Sequence, residues 1–566
     1  MKNNELISVG GYLAKRLERV GIKHYFGVPG DYNLILLDEL LKNKNLQFIG
    51  CCNELNAGYA ADGYSRANGI AALVVTFSVG GLSALNAVAG AYSEDHPIVV
   101  ISGGPNTNSE PENQLLHHTL GEIRYSYQRD IYSEVTKEAV IIKHIADAPY
   151  QIDTAIQTSL EKQKPVYIEI PCNIAGLQIH EPQLFKFTKN TKSNPEALSE
   201  AVESTATILN SAPKPILVAG VKLRPWEALD SFKTLAEKSG YAVATMPNAK
   251  GYFPEDHPNY IGTYWGPVSS PGTAEIVESA NAYLFAGPTF TDYTTTGYSS
   301  LINHSKLIHV GPDYVKLPNK TYNNVFINEF LKELSNVISY NDASLVAYNR
   351  IRPDYSKTNK LNSNEILTTK KLFKMVQDIL DSNSAVIAET GDSWFNGMNL
   401  VLPNDCKFEI QMQYGSIGWS VGATLGYQLA TTPQRRIISL IGDGSFQLTA
   451  QEMSTMIRYN LNPIIFLINN GGYTIEVEIH DGPYNNIQNW NYADLVNVFN
   501  GDSGNGISFK VNTEGELQKA INKSLKHNGL SLIEVIIDRD DCSKELLEWG
   551  TRVASNNSRP PKITEL

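Results

Sequence analysis

Thirteen short runs of β-branched and other apolar residues punctuate this chain, and the segments between them carry helical periodicity. HYFGV, QFIGCC, ALVVTFS, PIVVISG and PVYIEIP come first, then PILVAG, AVATM, AYLFAG and KLIHVG, then SAVIAE, RIISLIG, NPIIFLIN and LIEVIID. Strands that alternate with helices argue for parallel sheets flanked by helices. At 566 residues the chain is too long for one hydrophobic core. The polar stretch 188–194 and the Asn-, Ser-, Tyr- and Lys-rich stretch 342–364 read as breaks. The expected fold class is therefore α/β, with three consecutive parallel-sheet domains over residues 1–187, 195–342 and 365–566.

Residues 69–93 and 410–434 are both uncharged and long enough to suggest membrane spans. Both mix several glycines with Ser, Thr, Asn or Gln, which fits a buried strand, a Gly-rich turn and a buried helix better. In each, a small-residue turn (Ser78-Val79-Gly80-Gly81; Gly415-Ser416-Ile417-Gly418) opens the helix, and another strand follows. The first and third domains could be duplicates, or could share only the sameness of all α/β units; both readings stand at this point.

A formal charge of −12 argues against a large nucleic-acid footprint, so any anionic ligand must be held by local features. Five cysteines without disulfide or zinc spacing (Cys51, Cys52, Cys172, Cys406, Cys542), and no signal-like N-terminus, point to reduced thiols and a cytoplasmic protein.

Gly442-Asp443-Gly444-Ser445 ends the strand RIISLI and precedes a helix, and the next strand ends in Asn469-Asn470. Neighbouring strand ends in a parallel sheet share one edge, where ligands sit. Asp443 and Asn470 would offer two oxygens to a hard cation such as Mg²⁺, while the glycines and the N–H groups at the helix start suit a diphosphate. A lone Gly-Asp-Gly is ordinarily a tight turn; the Asn-Asn pair weighs against that. The P-loop pattern and the Rossmann fingerprint are both absent.

With 24 residues between Gly444 and Asn469, the clamp resembles the thiamine-diphosphate signature. Gly30-Asp31-Tyr32-Asn33, Cys51-Cys52-Asn53-Glu54-Leu55-Asn56, His117-His118, Gly262-Thr263-Tyr264-Trp265-Gly266, Glu389-Thr390-Gly391-Asp392-Ser393-Trp394-Phe395 and Tyr473-Thr474-Ile475-Glu476 accompany it in order. Together they resemble the pyruvate decarboxylases, the bacterial, unregulated branch most closely. The resemblance implies related thiamine-diphosphate-binding folds for the first and third domains (pyrimidine- and diphosphate-binding), and a lyase that converts pyruvate to acetaldehyde and CO₂. It implies that Glu54 hydrogen-bonds the aminopyrimidine, that Ile417 wedges the cofactor into a bent shape, and that the Gly415 carbonyl accepts from its amine. Asp443, Asn470 and the Gly472 carbonyl are the implied Mg²⁺ ligands. Thr76, Thr390, Asp392, Gly444, Ser445, Tyr473 and Thr474 are further implied cofactor contacts. Asp31, His117, His118 and Glu476 match the family's ionisable catalytic group, although adjacent histidines by themselves are more often a surface pair.

Tyr293, Thr390, Trp394, Ile475 and Ile479 match the walls of the substrate pocket, and their bulk favours pyruvate over phenylpyruvate or indolepyruvate. Gly471 beside Gly472 suggests a loose metal loop. Val221 stands where fungal relatives carry an activating cysteine, which implies a hyperbolic response to pyruvate. Because Glu54 and the clamp lie in different domains, the resemblance implies active sites shared across a homodimer, within a dimer or tetramer. The alternatives are a decarboxylase of larger 2-oxo acids, an acetolactate-synthase-like carboligase, and a non-catalytic binder.

Overall fold

The computed structural model describes residues 6–182, 185–189, 192–352 and 363–560. Its first large sheet has six parallel strands, in spatial order Gln47–Gly50, His24–Gly27, Ala71–Thr76, Ile98–Gly104, Val166–Pro171 and Ala139–Ile141. The last large sheet is also six parallel strands, in the order Lys407–Glu409, Ser384–Ala388, Arg436–Gly442, Ile464–Asn469, Ser531–Ile536 and Ile507–Val511. Counted along the chain, both sheets read 2-1-3-4-6-5. Shared strand order is a property of one fold, not of α/β units in general, so the two domains are of related fold.

The central sheet has five parallel strands between Pro215 and Val310, then two short antiparallel ones, Tyr314–Lys316 and Thr321–Asn323, at one edge. The stretch read as a linker is partly helical. Ala343–Ile351 is a helix whose Leu345 and Tyr348 pack onto the central sheet, and the Ser344 hydroxyl accepts from the Ala242 N–H at 3.0 Å. Its polar composition hid an apolar pair three residues apart. Residues 353–362 of the same stretch lie outside the described residues.

Among the described residues, no helix is long and apolar enough to cross a membrane. The uncharged segments are largely buried strands and helices. Helix Glu54–Asn68 of the first domain lies directly on helix Trp419–Thr431 of the third. Their backbones come so close that a Cβ at Gly426 would fall 1.8 Å from the Ala60 carbonyl oxygen, and one at Gly63 would fall 2.3 Å from that of Ala423. Only hydrogen fits there, so the glycines fix the distance between the domains.

Around this contact runs a buried ionic network that joins all three domains. Arg66 donates to Asp62 at 3.2 Å, to Glu94 at 2.7 Å and to the Ile410 carbonyl at 2.8 Å. Asp62 also accepts from the Trp419 indole at 2.6 Å. Glu409 faces Arg66 and is gripped by both terminal nitrogens of Arg224 from the central domain. Removing one member of such a network leaves a buried charge unpaired, at about 3–5 kcal/mol.

The helix contact is testable. Gly426→Ala is expected to lower the unfolding midpoint through a destabilisation on the order of 3 kcal/mol, because a backbone carbonyl cannot rotate away as a side chain can. An unchanged urea midpoint would show that the contact is looser than this.

Candidate active site

The C-terminal edge of the first sheet carries one group of the expected residues. Asn53 caps helix Glu54–Asn68, its side chain accepting from Asn56 N–H at 2.8 Å, so Glu54 stands in the first turn. Glu54 rests on Gly80: a Cβ there would lie 3.0 Å from Glu54 Oε1 and 3.1 Å from the Thr76 methyl. Among the described residues no donor reaches the Glu54 carboxylate, and the buried Thr76 hydroxyl likewise has no partner. The turn before Gly80 is strained, with Ser78 at φ 59° and ψ −80°. Gln128 holds it by accepting the Ser78 N–H, and itself donates to Ser102 and Tyr167.

Asp31, which also follows a strand of this sheet, meets the two histidines. His117 Nε2 lies 2.6 Å from Asp31 Oδ2 and His118 Nε2 lies 3.7 Å from Oδ1. Tyr32 stacks on the His117 ring at 5.1 Å. Asp31 and His117 are exposed and His118 half-buried, so the cluster looks outward. Its ligand atoms all lie within 4.8 Å of one another, a nitrogen-rich set suited to zinc rather than Mg²⁺.

The third sheet carries the clamp. Asp443 is fully buried at the end of strand Arg436–Gly442. Its Oδ1 accepts from Gly444 N–H at 2.8 Å and its Oδ2 from Gly471 N–H at 2.7 Å. Among the described residues, no Lys, Arg or His pairs with it, and burial pushes its carboxyl up to about 6. A buried carboxylate that only backbone N–H groups approach lacks a cation. Asn470 donates its amide to Thr474 Oγ1 at 2.6 Å, which leaves the amide oxygen free to accept or coordinate. Its neighbour Asn469 is turned away, onto Glu534 at 2.8 Å.

The paired glycines of the metal loop each answer a local demand. Gly471 sits at φ +82° with its N–H tied to Asp443, and a Cβ at Gly472 would meet the Asn485 carbonyl oxygen at 2.4 Å. Conformation and space require both glycines. Tyr473 lies over Gly444, where a Cβ would come 2.4 Å from the ring. Ser445 is buried in the first turn of the helix that starts at Asp443.

Gly415, at φ +64°, and the half-buried Ile417 stand on the loop before helix Trp419–Thr431. The expected pocket walls come together from two domains. Tyr293, from the central domain, meets Trp394 edge-on at 6.1 Å, and Ile475 and Ile479 join the same apolar cluster. Among the described residues, the buried Trp394 indole N–H has no partner. Burial and then the Glu476 charge raise the Tyr293 phenol.

One expectation changes. Asp392 does not offer a free carboxylate: Ser543 donates to it through both N–H and Oγ, and Asn396 through its amide at 2.8 Å. It anchors the C-terminal helix Lys544–Asn557. That helix supplies a wall residue not picked out from the sequence, Trp549, whose ring meets Tyr293 at 4.8 Å and whose indole donates to the Tyr293 carbonyl at 3.2 Å. A lone tryptophan in a terminal amphipathic helix gives no sign of where it docks.

Two like sheets with an anion-and-cation clamp on one and an unpartnered carboxylate on the other define a thiamine-diphosphate-dependent enzyme. Residues 7–127, 202–335 and 393–535 match the N-terminal TPP binding, central and C-terminal TPP binding domains of the thiamine pyrophosphate enzymes. The chain belongs to the pyruvate decarboxylase family: it is 52% identical to pyruvate decarboxylase 1 of Arabidopsis thaliana over 98% of this chain and 92% of that one. Pyruvate decarboxylase 2 of Oryza sativa subsp. indica is 53% identical over the same shares. These relatives are plant proteins, so the likeness to the bacterial branch rests on the motifs alone. A structure assigned to the thiamin diphosphate-dependent enzymes, from Mycobacterium smegmatis, superposes with a TM-score of 0.78 at 19% identity over 94% of this chain and 100% of that one, a likeness of fold.

The cofactor is thiamine diphosphate with Mg²⁺, and the residues present fit both: an uncompensated buried Asp443, an idle Thr76 hydroxyl and a free Glu54 carboxylate. Because burial pushes the Asp443 carboxyl up to about 6, protons compete with the cation as pH falls through that value. Mg²⁺ is therefore expected to raise the melting temperature at pH 8 and to do so far less at pH 5, and Asp443→Asn is expected to lose the response. Differential scanning fluorimetry with and without Mg²⁺ checks it; a pH-independent response would place the metal elsewhere.

Proposed function

We infer that this chain removes CO₂ from pyruvate and leaves acetaldehyde, with its active site built from two copies of the chain. The observation that carries the chemistry is the buried Asp443 that lacks a counter-ion beside a clamp of N–H groups.

Bound thiamine diphosphate supplies the carbon nucleophile and the electron sink. Asp443, the Asn470 oxygen and the Gly472 carbonyl would hold Mg²⁺, and Gly444 and Ser445 would receive the diphosphate at the helix start. Glu54 would hydrogen-bond the aminopyrimidine, the Gly415 carbonyl would accept from its amine, and Ile417 would brace the cofactor. Thr76, Thr390, Tyr473 and Thr474 shape the surrounding cradle. Glu476 stands near the departing carboxylate, where a second negative charge disfavours the charged substrate over neutral CO₂. Asp31 orients His117 through its Nε2, and with His118 this group delivers the replacing proton and releases the aldehyde. Tyr293, Trp394, Ile475 and Ile479, now with Trp549, leave room for a methyl group rather than an aryl ring. Five free cysteines support a reducing, cytoplasmic setting.

Within one chain, among the described residues, no hydrogen bond joins Glu54 or the Asp31 cluster to the Asp443 loop, and the Asp31 cluster faces outward. Leu34, Ile35, Val79 and Leu448, each 45–49% exposed, lie near these groups and form apolar surface for a second copy to cover. The holoenzyme is expected to elute as a dimer or tetramer; a fully active monomer would refute the shared site. In an assay coupled to alcohol dehydrogenase and NADH, acetaldehyde is expected only with thiamine diphosphate and Mg²⁺. Glu54→Gln is expected to lower kcat by at least about 100-fold with the fold intact; wild-type turnover in that variant would remove its role.

A further inference from the structure

We propose that Glu389 is the positioning residue of the active-site wedge: a buried anion that caps helix Trp419–Thr431 from outside and thereby fixes where Ile417 stands. The proposal rests on the thiamine diphosphate reading of the site.

The helix cannot cap itself. Its N-cap is Gly418, at φ +88°, which has no side chain to accept the first-turn N–H groups. Nor could it carry one, because a Cβ there would lie 2.9 Å from the Leu448 Cβ and 3.2 Å from the Ser445 carbonyl oxygen. Glu389, at the end of the neighbouring strand Ser384–Ala388, does the capping instead. Its Oε2 accepts from Gly418 N–H at 3.1 Å, Ser420 N–H at 3.1 Å and Ser420 Oγ at 2.6 Å. Its Oε1 accepts from Thr390 N–H at 2.8 Å. All four partners donate, and a helix N-terminus favours a negative charge. Burial raises the carboxyl and these hydrogen bonds pull it back.

The wedge is held from its other side as well. Ser416, the residue before Ile417, donates its N–H to Gln411 Oε1 at 2.9 Å. Ile417 is thus bracketed by two side-chain acceptors, one per chain neighbour. The same Glu389 carboxylate ties this loop to Thr390, a wall of the substrate pocket. If packing were all that mattered, an apolar residue would fill this fully buried position at lower desolvation cost. A charge there is what holds two loops in register.

A positioning role predicts an effect on proton transfer within the bound cofactor that loss of stability alone would not produce. The experiment measures hydrogen–deuterium exchange at the thiazolium carbon between sulfur and nitrogen, in holoenzyme quenched at short times and read by NMR. Glu389→Gln keeps the size but brings N–H donors among donors. It is expected to slow that exchange and kcat together by about tenfold or more, since small misplacements are costly in rate. KM for pyruvate, far-UV circular dichroism and subunit assembly are expected to stay as in wild type. Exchange at the wild-type rate in folded Glu389→Gln overturns the proposal. Should that variant fail to fold, Ser420→Ala removes one donor of the four and is expected to slow exchange by about threefold; unchanged exchange there overturns it equally. A wild-type chain that binds no thiamine diphosphate would instead overturn the site reading, and this proposal with it.

Discussion

The contact between helices Glu54–Asn68 and Trp419–Thr431 is the constraint on which the rest of the molecule depends. At Gly426 and Gly63 the two backbones touch with no side chain between them, so the separation of the first and third domains is set by backbone sterics. Both helices begin at functional groups: Glu54 is the first residue of one, and Ile417 precedes the N-cap of the other. A rigid helix pair therefore fixes two otherwise unrelated loops to one frame. The Arg66 network wraps the same contact and brings in the central domain through Arg224.

Buried carboxylates recur in this protein, with two different partners. Asp62, Glu94 and Glu409 are matched by arginines, and the result is a closed structural network. Among the described residues, Asp443 and Glu389 are matched only by N–H and O–H donors. Burial raises both carboxyls, and each stands at a helix start. They differ in their neighbours: Glu389 is ringed by four donors, whereas Asp443 has two and stands beside the Asn470 amide oxygen, a second oxygen for a cation. The same residue type thus reports on fold or on ligand according to what surrounds it.

Much of this was legible in the chain. The β-branched runs fall on the strands of three sheets, and the clamp residues do meet at one sheet edge, because parallel neighbours bring consecutive strand ends together. The Gly-rich, uncharged segments read correctly as buried elements. What stayed hidden depended on distant neighbours. Asp392 sits in a motif with Thr390 and looked equally available, yet Ser543, 151 residues away, claims its carboxylate. Trp549 becomes a wall only because the C-terminal helix folds back over Tyr293. The helix at Ala343–Ile351 was masked by a composition that also suits a linker, and only its fit against the central sheet reveals it.

The sequence by itself determined the chemistry: which acids, histidines and glycines are present, their order, and hence the cofactor they suit. Local spacing carries that information, since a cation clamp needs two oxygens on adjacent strands and a phosphate needs a glycine-lined helix start. Tertiary structure alone decided which of those groups are free to act. A carboxylate's role depends on whether donors from elsewhere in the chain have already consumed its lone pairs. Those donors, at Ser543, Ser420 and Gly471, are set by packing between elements that no local pattern relates.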